Sequence, residues 1–218
     1  MNISVFAGEK ANNANIARVN TVTATTCENF EPMSKNEYIK IKAQAEGISY
    51  SEANKEINKL IARDLKKYGV PGSEPKIVTR AIEQNDTEYQ GDGLYYIYGY
   101  VYFIDTYAKK MKVRSDVPVI IASHHYGRTF ADVTTSKGKV YAYSSGGWTL
   151  EDADATVYTP SNTQVKIQYT GVITVLRSVA ISIGADYDWL SINGSVSKDG
   201  YTRTPISKLN KEILKSSN

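Results

Sequence analysis

The hydrophobic period of this chain changes near residue 75. Upstream, apolar residues recur every three or four positions; downstream they alternate every second position. The first spacing suits helices with one buried stripe, the second strands with one buried face.

The helical part carries its own punctuation. Ser34-Lys35-Asn36-Glu37 reads as a capping box, with Met33 and Tyr38 as the flanking staple. Tyr38, Ile41, Ala45 and Ile48 follow at helical spacing, and Gly47 supplies a left-handed stop. The pattern then repeats. Ser49-Tyr50-Ser51-Glu52 is a second box, with Ile48 and Ala53 as its staple. Ala53, Ile57, Leu60, Ile61, Leu65 and Tyr68 form one stripe that Gly69 and Pro71 close. Such a pair cannot bury its stripe alone, so it must cover something else.

Downstream, the expected strands are 76–84, 94–105, 109–115, 117–123, 138–144, 155–159, 164–175, 178–184 and 189–197. Turn signals such as Ser115-Asp116, Gly146-Gly147 and Pro160-Ser161-Asn162 separate them. Short strands with no helical crossover between them pair antiparallel. Ile206 to Leu214 reads as a short helix or an edge segment. The predicted fold class is therefore α+β: an N-terminal αα-hairpin at 32–70, then an antiparallel β-sandwich at 75–218.

Residues 1–31 read as a signal-peptide remnant and a disordered leader. Val5-Phe6-Ala7 has the small-residue pattern that precedes signal-peptidase cleavage, which would leave Gly8 first. Cys27, the single cysteine, lies in a polar stretch unlike a lipoprotein box and reads as incidental.

Composition narrows the chemistry. One Cys and 2 His exclude zinc ribbons and intrachain disulfide frameworks, and no metal or cofactor is expected. A net charge of +3 is a weak surplus. Its densest basic run, Lys109 to Arg114, reads as the charged face of a strand, so no nucleic-acid partner is expected. Neither G-x-x-x-x-G-K-[ST] nor G-x-G-x-x-G after a strand occurs.

The richest segment is Leu94 to Ile104. As a strand it presents Tyr95, Ile97, Gly99, Val101 and Phe103 on one face and Tyr96, Tyr98, Tyr100 and Tyr102 on the other. The tyrosine row suits either an aromatic platform for a ligand or a surface for the helices to cover. Trp148 beside Gly146-Gly147, and Trp189 beside Asp186-Tyr187-Asp188, are either ring-stacking positions or closures of a sandwich core. Tyr96, Tyr98, Tyr100, Tyr102, Trp148 and Trp189 are the candidate ligand-binding residues; no catalytic residue is assigned. His124-His125 sits at a strand end, where alternation would aim the two rings at opposite faces. Glu151-Asp152-Ala153-Asp154 and Asp186-Tyr187-Asp188 read as solvated loops.

These features point to an exported, non-catalytic protein, secreted or at the cell surface. It would bind a protein or glycan partner. One alternative is a membrane-active or antibacterial protein that inserts residues 164–184 as an amphipathic hairpin turning at Arg177-Ser178. The other is an extracellular hydrolase. N-terminal sequencing of natively produced protein is expected to begin at Gly8; an intact Met1 on protein retained in the cell would refute the leader.

Overall fold

The computed structural model describes residues 29–68, 87–89, 93–108, 111–134, 138–144, 146–176, 178–179, 195–196 and 200–214. They form two helices and two antiparallel sheets, with strand predominating.

Helix α1 spans Lys35–Glu46 and α2 spans Tyr50–Tyr68. Both start where the capping boxes place them. The Glu37 N–H donates to Ser34 Oγ at 3.2 Å. At the second box the exchange is reciprocal: Ser49 N–H donates to Glu52 Oε2 at 2.9 Å, and Glu52 N–H to Ser49 Oγ at 3.2 Å. Gly47 ends α1 at φ 67°, in the left-handed region, with its N–H on the Ala43 carbonyl.

The buried face of α1 differs from the expected one. Tyr38, Ile39, Lys42 and Ala43 are buried, while Ile41 and Ile48 sit at the margin. Lys42 is the reason. Its ammonium reaches Glu46 at 2.7 Å and Asp132 at 3.2 Å, so its methylene stem lies inward with the charge paired. Burial works against that charge, but the bonds to Glu46 and Asp132 outweigh it and hold the pKa above the lysine norm. Tyr38 joins the same network. Its hydroxyl donates to Asp132 Oδ2 at 3.1 Å and accepts from Thr134 Oγ1 at 3.2 Å.

The first sheet contains β1 (Phe30–Pro32), β2 (Thr87–Tyr89), β3 (Tyr95–Ala108), β4 (Met111–His124), β5 (Gly127–Val133) and β6 (Lys139–Ala142). Strand β3 pairs with β4 along one edge and with β1 and β2 along the other. Strand β4 gives its far edge to β6 over residues 113–116 and to β5 over 119–124. Pro118, which has no N–H to donate, falls in the gap between those two partners, and its carbonyl accepts from Thr134 at 3.1 Å. The second sheet contains β7 (Trp148–Ser161), β8 (Gln164–Leu176), β9 (Ser195–Val196) and β10 (Tyr201–Ile213), in the order β7-β8-β10-β9.

The alternation expected for Leu94 to Ile104 holds. Ile97, Val101 and Phe103 enter a cluster that also contains Val165, Ile167, Ile173 and Val175 of β8. Tyr96 and Tyr98 enter a second cluster with Tyr38, Ile39, Ile57 and Ile61 of the helices. One polar clamp ties the sheets at the far end of β3. Tyr169 donates to Asp105 Oδ2 at 2.8 Å, and the Tyr107 hydroxyl lies 2.8 Å from that of Tyr169. Asn210 Nδ2 donates to the same carboxylate oxygen at 2.6 Å.

Several expectations need correction. Ser115-Asp116 is no turn: β4 runs through it unbroken and both residues are buried. Asp116 belongs there because its carboxylate is paired, as described below. Residues 206–213 are an edge segment and not a helix: they are part of β10 (Tyr201–Ile213) and pair with β8 alone among the described residues, β9 reaching only Thr202 and Arg203. Both edges of β8 are taken, by β7 and β10, so a strand at 178–184 has no edge of β8 to pair with. Ser178 and Val179 are helical rather than extended. Glu151 to Asp154 lie within β7 at a bulge, not in a loop. Phe30 and Glu31, assigned to the leader, and Pro32, assigned to the helical hairpin, form a strand. The expected strand 76–84, and most of 178–184 and 189–197, lie outside the described residues.

Gly99 is required where β1 crosses β3. A Cβ there would stand 2.5 Å from the Glu31 carbonyl oxygen and overlap the Phe30 ring. The Gly99→Ala variant should lose about 1–3 kcal/mol, from overpacking against backbone that cannot yield. The expected readout is a lower urea midpoint at unchanged slope. An unchanged midpoint would contradict the close approach of β1.

Candidate functional site

The tyrosine row of β3 is divided by the helices. Tyr96 and Tyr98 lie beneath them, at 0% and 1% exposure, and offer no ring face to solvent. The Tyr96 hydroxyl donates to the buried carboxylate of Asp64 on α2 at 3.3 Å, and Tyr98 packs against Tyr38 with ring centroids 5.9 Å apart. Tyr100 and Tyr102, further along the same face, are partly exposed, with Tyr100 at the margin of the cluster beneath the helices.

Register shows what stands beside them. In an antiparallel pair, residues directly opposite share a face. Tyr102 is opposite Asp116, which is opposite Lys139; Ile104 is opposite Arg114, which is opposite Tyr141. The open half of this face thus gathers Tyr100, Tyr102, Arg114, Asp116 and Tyr141, with Tyr143 just past the end of β6.

Arg114 organises the group. Its guanidinium carbon lies 4.4 Å from the Tyr102 ring centroid and 5.7 Å from that of Tyr143. Nε donates to Asp116 Oδ1 at 2.6 Å, and another nitrogen pairs with Glu31 of β1. Burial opposes the charge, but the bonds to Asp116 and Glu31 outweigh it and raise the pKa further. The second Asp116 oxygen accepts from Tyr141 at 3.0 Å. Burial and the Asp116 charge together push the Tyr141 hydroxyl up to about 12. Tyr100 is raised as well, first by burial and then by the charges of Glu37, Asp116 and Glu31. At neutral pH the Tyr100 and Tyr141 phenols are protonated, so the face offers hydroxyl groups and aromatic rings beside the paired Arg114 guanidinium and the Lys139 ammonium. Tyr143 is 48% exposed and Ile104 is 40% exposed, giving the patch an accessible apolar fringe.

Trp148 is not on this face. It is 7% exposed within the cluster shared by the two sheets, which matches core closure and not ring stacking. Trp189 lies outside the described residues. Among the described residues, no group of three or more His, Cys, Asp or Glu could hold a metal ion.

The two histidines depart from the alternation argument. Strand β4 ends at His124, and His125 and Tyr126 form the turn into β5. The rings are therefore not held on opposite faces; their centroids are 6.4 Å apart. His124 is 8% exposed and stacks on Tyr68, the last residue of α2, at 3.9 Å and 8° between planes. Arg114 and Asp116 were absent from the sequence-based site because they sit beside a dipeptide that imitates a turn. Only the β3–β4 register reveals them.

His124 makes a pH prediction. Burial, followed by repulsion from His125, holds its pKa below the histidine norm. The unfolded chain then binds the proton more readily, so stability is fully present above about pH 6.5 and declines as pH falls below it toward the folded-state value. A His124→Phe variant keeps a ring against Tyr68 and removes this titration. The difference in unfolding free energy between wild type and variant should shift against wild type from pH 7.5 to 5.5; a constant difference would contradict the burial.

No protein-family model matches the chain, and neither a curated protein nor a solved structure is significantly similar to it.

Proposed function

We propose that this is an exported, non-catalytic binding protein that engages a glycan or protein of the cell envelope through the open half of the first sheet. The observation that carries the reading is the Tyr102–Arg114–Tyr143 stack, flanked by Tyr100 and Tyr141. Tyrosine and arginine dominate energetic hot spots at protein interfaces, since each brings large contact area with polar ends. A sugar ring presents a C–H face to an aromatic plane and hydroxyls to its neighbours, and this surface offers partners for both.

The finer architecture belongs to the same reading. We infer a β-sandwich whose outer face is half covered by an αα-hairpin. The cluster common to both sheets and the second cluster beneath the helices support it. Export rests on the Val5-Phe6-Ala7 pattern and on a composition rich in Thr, Ser, Asn and Tyr.

Retention on insoluble cell-wall glycan and on protease-treated and untreated cells tests the function. Tyr102→Ala combined with Tyr143→Ala should reduce retention at least tenfold with little change in melting temperature. Loss of retention after protease treatment would identify a protein partner. Retention indifferent to the double substitution would refute the site.

A further inference from the structure

We propose that a second site, the cleft where the end of α2 meets the β4–β5 turn, binds a negatively charged sugar unit. This does not rest on the tyrosine–arginine face, which lies at the other end of β4. Arg114 and His124 are ten residues apart, roughly 33 Å along the strand.

The cleft is open to solvent and has a volume of about 450 Å³, the range of small-ligand sites. Its described lining contains two cations, Lys67 and Arg128, and no carboxylate. At its base stands His124. Its Nδ1 accepts the Tyr126 backbone N–H at 3.2 Å, so in the neutral ring the proton resides on Nε2. That Nε2–H is buried and has no hydrogen-bond partner among the described residues. A buried donor without an acceptor is an uncompensated cost that a ligand oxygen would remove. Tyr126, 75% exposed, offers a ring face, and Thr129, Asn162 and Thr163 add neutral polar groups to the lining. An anion alone would use only the cations. The ring face and the neutral polar groups suit a pyranose body, while Lys67 and Arg128 suit a carboxylate or sulfate on it.

The presence of only two histidines makes the test direct. Imidazole resonances of the intact protein would be followed by NMR during titration with glucuronate, glucose 6-sulfate, glucose, inorganic sulfate and AMP; loss of a signal in His124→Phe assigns His124. The expected result is a saturable shift of His124 with glucuronate, glucose 6-sulfate or both, at concentrations where glucose and inorganic sulfate produce none. The two charged sugars distinguish carboxylate from sulfate. Lys67→Ala and Tyr126→Ala, both at exposed positions, should each weaken binding at least fivefold. No His124 shift with either charged sugar would overturn the proposal. So would equal binding of glucose or inorganic sulfate, tighter binding of AMP, or affinity unchanged by both exposed-site variants.

Discussion

Strand β3 is buried on both faces from Tyr96 to Gly99, and the rest of the molecule is arranged around that constraint. A strand buried on both sides must divide its residues between two different neighbours. Here the odd positions Ile97, Val101 and Phe103 meet another sheet. The even positions Tyr96 and Tyr98 meet helices that bring Asp64 and Tyr38 to them. Tyrosine suits this second interface because its hydroxyl can be satisfied by a polar group on a helix, whereas its ring fills the space between.

Polar seams recur wherever two layers meet. Lys42, Tyr38 and Asp132 join α1 to β5; Asp105, Tyr169 and Asn210 join the two sheets; Arg114 joins β1, β3 and β4. A buried charge of this kind adds little net stability over a well-packed apolar group. Removing only one partner is strongly destabilising, because the other is left uncompensated. The seams therefore discriminate between registers more than they add strength: slipping β4 by one residue would carry Arg114 and Asp116 together to the interior, away from Glu31 and Tyr141.

Legibility from sequence followed the range of the interactions. Capping boxes are local, so both helix starts could be read from four residues each. The facing of β3 is a property of period alone, and it too was readable. What failed depended on distant partners. Ser115-Asp116 imitates a turn, and only Arg114 and Tyr141 make Asp116 tolerable inside a strand. Lys42 looks like a solvent residue until Asp132, ninety positions away, neutralises it. Phe30–Pro32 is three residues long, too short for a period, and exists because Gly99 lets it lie close. Half the tyrosine row survived as a surface and half did not, since the extent of the helices over the sheet is not written in either segment by itself.

The stacking of Arg114 between Tyr102 and Tyr143 has a consequence for recognition. Rings pinned on either side of a guanidinium, itself tethered by two carboxylates, have little rotational freedom left to surrender. In the proposed binding, an incoming molecule would meet a surface already ordered in its absence, so more of the contact energy would remain as affinity. Such a surface also adapts poorly, and it would favour a narrow set of shapes over a broad one.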